Sequence, residues 1–67
     1  MRSVIIKNNV TIETNQVPYC GTDYTVKNVP YDMTDEDVVK ACGECWSFCV
    51  NRFERRGTTV TFNINYD

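Results

Sequence analysis

Apolar and β-branched residues recur in short alternating runs at both ends of the chain and in one broader cluster between them. Ser3-Val4-Ile5-Ile6-Lys7 and Val10-Thr11-Ile12-Glu13-Thr14 are β-prone and are separated by Asn8-Asn9. Asparagine tolerates the positive φ angles of a two-residue type I′ turn, so the two runs are expected to form a hairpin. Between Asn15 and Asp23 the chain carries Pro18, Gly21 and several polar residues, which predicts a loop or short irregular strand holding Cys20. Tyr24 to Asn28 reads as a third strand that Pro30 stops. Near the other end, Val60, Phe62 and Ile64 alternate with Thr59, Thr61 and Asn63, the pattern of a half-buried strand.

The middle cluster carries helix signals. Thr34 is a good N-cap, Asp37 stands where a capping box places its acid, and Asp35, Glu36 and Asp37 put negative charge on the first turn. Arg52, Arg55 and Arg56 would complement the other end of the macrodipole, with Gly57 as the left-handed C′ residue. One long helix from about Asp35 to Arg56 is therefore expected. On that helix Lys40, Glu44, Ser47, Asn51, Glu54 and Arg55 form a polar stripe. The remaining apolar sector is about 200° wide, broader than a single sheet contact needs. Val38, Cys42, Cys45, Cys49 and Phe53 at its centre are assigned to the sheet, and Val39, Ala41, Trp46, Phe48 and Val50 on its flanks to a loop or to another molecule. The expected fold is α+β: a single two-layer domain over residues 1–67, an N-terminal β-hairpin plus further strands in ββ(β)αβ order, packed against one long helix.

Length adds a constraint. A 67-residue chain buries a small core, for which disulfides, a metal or a second subunit often compensate. No apolar run exceeds Val4-Ile5-Ile6, so no membrane span is expected, and the first residues lack the apolar stretch of an export signal. The chain reads as cytoplasmic, where its four cysteines would stay reduced. A net charge of −2, from seven basic and nine acidic residues, offers no large positive field for nucleic acid. With no histidine, phosphate-cradling loop or paired-acid arrangement, no enzymatic activity and no cofactor are expected.

Cys42-Gly43-Glu44-Cys45, with Cys49 and Cys20, supplies four thiols for a structural zinc. In an unbroken helix Cys42 and Cys49 lie about 10.5 Å apart along the axis. Two sulfurs on one zinc must approach to about 3.8 Å. Core packing of free thiols is therefore the preferred reading, and a four-cysteine zinc site needs a break near Gly43.

Val26-Lys27-Asn28-Val29-Pro30-Tyr31-Asp32-Met33-Thr34-Asp35-Glu36-Asp37-Val38 resembles the first strand and helix start of an RNA-recognition motif. The resemblance implies base stacking on sheet aromatics, yet Thr25, Thr58 and Val60 occupy the matching positions, which points to a shared strand-turn-cap solution. The resulting expectation is a small non-catalytic protein-interaction module that binds a partner stoichiometrically. Such a module suits a phage-encoded inhibitor of a host or anti-phage defence factor, as anti-CRISPR proteins are. Trp46, Phe48, Val50, Val39 and Ala41 form the candidate contact surface, for another protein or for a second copy as a homodimer. The alternatives are a zinc-stabilised module on Cys20, Cys42, Cys45 and Cys49, or a nucleic-acid-binding module on Arg52, Arg55 and Arg56.

Overall fold

The computed structural model describes residues 2–7 and 9–66. The chain forms β1 (Arg2–Lys7), β2 (Val10–Val17), β3 (Gly21–Lys27), α1 (Asp35–Ala41), β4 (Val50–Arg56) and β5 (Thr59–Ile64). The strands make one antiparallel sheet in the order β1-β2-β3-β5-β4.

The hairpin expected at the start is present, with Lys7 opposite Val10 across a two-residue turn. Asn9 takes φ +67, as the second turn residue of type I′ requires; Asn8 lies outside the described residues. The loop or short irregular strand expected over 15–23 is mostly regular strand. β2 continues to Val17, Pro18-Tyr19-Cys20 turn with the Cys20 amide donating to the Val17 carbonyl at 3.0 Å, and β3 starts at Gly21. Gly21 has φ +80, and a Cβ there would lie 2.2 Å from the Ile64 carbonyl oxygen, so only glycine lets β5 pass this close.

Thr34 caps α1 as expected: its hydroxyl accepts from the Asp37 amide at 3.2 Å. The long helix over 35–56 does not form. α1 ends at Ala41 after seven residues, and the architecture is a five-stranded antiparallel sheet with one short helix. The cause is local. With Cys42 as C-cap, the Gly43 amide donates to the Lys40 carbonyl and the Glu44 amide to the Val39 carbonyl, while Gly43 sits at φ +82. These are the two bonds of a Schellman stop. Gly57, expected to close the helix, instead opens the two-residue turn between β4 and β5, with φ +59 at its first position.

β4 hid its strand character behind a bulge. Asn51 pairs with Asn63 and Glu54 with Thr61, so Arg52 and Phe53 together oppose Phe62. Arg52 takes up the extra residue at φ +54. Val50 and Phe53 both pack against the core although they are three positions apart, the spacing of a helix face.

The core lies between one sheet face and a second layer formed by α1, the loop before it and residues 42–49. Val10, Ile12, Tyr24, Val26, Val60, Phe62 and Ile64 come from the sheet, and Val29, Val38, Val39, Ala41 and Cys49 from above it. Away from β1 the opposite face is polar. There Asn63, 2% exposed, donates to the Cys20 carbonyl and to Asp23 and accepts from the Asn51 amide, so its burial leaves no polar atom unpaired. No helix among the described residues is long and apolar enough to cross a membrane.

Gly21→Ala is expected to cost at least about 2 kcal/mol, because left-handed strain and a backbone overlap add. Denaturant unfolding measures it, and a cost below about 0.5 kcal/mol would show that β5 can move aside.

Candidate interaction surface

The Schellman stop releases residues 44–49 from the helix and lays them beside β4 on the helix side of the sheet. Aromatic rings hold that segment down. Tyr24 stacks on Phe62 with centroids 5.1 Å apart, Phe62 on Phe53 at 5.7 Å, and Trp46 meets Phe53 edge to face at 5.3 Å. The row thus runs from the buried centre of β3 outward to Trp46, which is 49% exposed. Phe48, two residues on, is 98% exposed.

Polar groups fix both ends of the segment. The Glu44 carboxylate accepts from the Tyr24 hydroxyl at 2.8 Å and also from the Tyr66 hydroxyl. At the other end the Asn65 amide donates to the Cys49 carbonyl at 3.1 Å, and the Cys49 amide to the Ser47 hydroxyl at 3.2 Å. Burial, then the hydrogen bond to Glu44, pushes Tyr24 well above the usual tyrosine range. The hydrogen bond to Glu44, followed by desolvation, pushes Tyr66 up to about 12.

The residues singled out for partner contact are therefore sorted by the helix stop. Val39 and Ala41 are buried in the core, Val50 is half-buried against it, and Trp46 and Phe48 are exposed on one anchored segment. The cysteines are dispersed in environment: Cys49 is buried, Cys42 half-buried, and Cys20 and Cys45 exposed. Among the described residues no three Cys, Asp or Glu side chains gather where a metal could be shared.

The three arginines divide between two faces. Arg55 donates to the Met33 carbonyl at 2.6 Å and lies 3.5 Å from Asp35, bracing the helix start. Arg56 pairs with Glu54 at 2.6 Å, and Arg52 lines a shallow depression with Asp23, Thr25, Thr61 and Asn63 on the polar face. At its centre that face offers Thr25 and Thr61 rather than a stacking ring. Glu44 and Tyr66 were not singled out from the sequence. Their pairing spans 22 positions and has no local signature. No protein-family model, curated protein or solved structure matches this chain.

Glu44 makes the segment's anchoring pH-dependent in a defined direction. Both phenols titrate higher folded than in the unfolded chain, where tyrosine ionises near pH 10. Their contribution to stability is complete below that pH and is lost as pH rises through the folded value, about 12 for Tyr66. Glu44→Ala removes the acceptor of the part-buried Tyr24 hydroxyl, which water can partly replace, and is expected to cost about 0.5–1.5 kcal/mol. A phenolate absorbance titration should show two of the four tyrosines ionising late in the native protein. In the variant the ionisation of Tyr24 and Tyr66 should move down toward the ordinary tyrosine value near pH 10.

Proposed function

We propose that this protein is a non-catalytic module that acts by stoichiometric binding to another protein, through the anchored segment bearing Trp46 and Phe48. The observation that carries the reading is Phe48, a large apolar ring 98% exposed on backbone tied down at both ends. A solvated ring gains nothing for folding, whereas a rigid exposed aromatic contributes contact area at low entropic cost when a partner covers it. The open depressions on the polar sheet face are lined by Asp23, Thr25 and neighbours with no histidine to serve as a general base, which favours recognition over turnover. Such a binder inhibits its partner whenever the footprint overlaps the partner's own working site.

Affinity capture with the native chain, compared with a Trp46→Ala/Phe48→Ala variant, tests the reading. The expected result is one protein retained in a one-to-one ratio and lost, by about tenfold or more in affinity, with the variant. Equal retention by both would move the binding surface elsewhere. Trp46→Ala alone also exposes Phe53, so the single variant Phe48→Ala, at a ring with no core contact, separates binding from stability.

A further inference from the structure

The two edges of the sheet are built differently. β4 carries a bulge and the charges Arg52, Glu54, Arg55 and Arg56, the usual means of keeping an edge from pairing. β1 has no bulge, and its charges, Arg2 and Lys7, stand only at its two ends, leaving Ser3 to Ile6 uncharged. Its Val4, Ile5 and Ile6 are 59%, 54% and 76% exposed, and by register Val4 and Ile6 lie on the polar face while Ile5 lies on the helix side with Ile12.

The direction of its backbone follows from the turn. Lys7 and Val10 close a two-residue hairpin, so this pair exchanges backbone hydrogen bonds, and by alternation so do Ile5 with Ile12 and Ser3 with Thr14. Val4 and Ile6 therefore aim their N–H and C=O groups away from β2, unpaired in the single chain.

We propose that β1 pairs antiparallel with β1 of a second copy, joining two sheets into one of ten strands about a two-fold axis at Ile5. The alternation admits only even-numbered residues of β1 as hydrogen-bonded partners across the new seam. Centred on Ile5, Val4 of each copy faces Ile6 of the other, giving four backbone hydrogen bonds, and Ile5 meets Ile5 on the helix side. Over residues 4–6, apolar side chains then oppose only apolar ones.

A second copy fits this edge better than a free peptide. Its β1 is already extended, whereas a peptide loses about 1–2 kcal/mol of backbone freedom for every residue it orders. The seam covers one strand per copy, well short of the roughly 800 Å² a side of a standard interface, so the association is reversible and concentration-dependent. It also closes: the outer edges of the joined sheet are two copies of the charged, bulged β4, which ends growth at two.

Sedimentation from micromolar to millimolar concentration, with amide exchange on the same samples, tests the pairing. A monomer–dimer equilibrium is expected, with the Val4 and Ile6 amides gaining protection as the dimer fills. Val4→Pro removes an outward N–H without touching a bond to β2 and should weaken association about tenfold or more. Ile6→Lys should do the same should proline disturb the hairpin. A monomer throughout, open-ended oligomers, or unprotected Val4 and Ile6 amides in a dimer would each overturn the proposal. The Trp46→Ala/Phe48→Ala variant should dimerise as the native chain does, which separates this seam from the partner surface. Loss of its dimer would place the seam on the aromatic segment instead and refute pairing through β1.

Discussion

With the amides of Gly43 and Glu44 turned back onto the carbonyls of Lys40 and Val39, α1 is closed after two turns and the chain leaves it in an extended direction. Everything beyond depends on that closure. Had the helix continued, residues 50–56 could not lie beside β5, and β5 would be an edge with Val60 and Ile64 open on one side. The closure also puts Glu44 where it meets both Tyr24 and Tyr66, so the residue that ends the helix motif is the one that fastens the following segment to the sheet.

The short helix leaves a covering problem that residues 44–49 solve. Seven helical residues bury Val38, Val39 and Ala41, too little to hide a face five strands wide. Cys49 and the ring of Trp46 extend the cover over β5 and β4, while Ile5 at the β1 end stays only partly screened. An open groove of about 470 Å³ remains there, bordered by Ile5, Ile12 and Cys42. The second layer is thus complete toward β4 and incomplete toward β1. That asymmetry matches the edges themselves, one defended by charge and the other apolar.

Signals confined to a few neighbouring residues were legible in the sequence. Thr34 with its acidic turn marks a helix start, strict alternation marks β5, and two asparagines between β-branched runs mark the first hairpin. What misled was spacing shared by two structures. Val50 and Phe53 are three apart, which fits a helix face, but the bulge at Arg52 turns that spacing into one face of a strand. Gly43 and Gly57 could each end a helix, and the basic run before Gly57 favoured the later one. The deciding facts are nonlocal: β5 needs a partner, and Arg55 and Arg56 find Asp35 and Glu54 rather than helix carbonyls. Trp46 and Phe48 were legible as surplus apolar surface, but Val39 and Ala41 were not separable from them while all five shared one imagined helix.

Distance between the two apolar surfaces gives them separate roles. Strand order puts β1 and β4 at opposite edges, so the aromatic segment beside β4 stands four strand spacings, about 19 Å, from the β1 edge. A partner bound at Phe48 therefore need not cover Val4 or Ile6. In a sheet doubled through β1 the two β4 strands would be nine spacings apart, about 43 Å before twist shortens the span. Two aromatic segments at that separation, fixed by a continuous hydrogen-bonded sheet instead of a flexible linker, can engage only a partner that presents two matching sites or two partner molecules. A weak seam then has a physical use: binding at one segment raises the local concentration of the other, and dilution of the module dissolves the advantage.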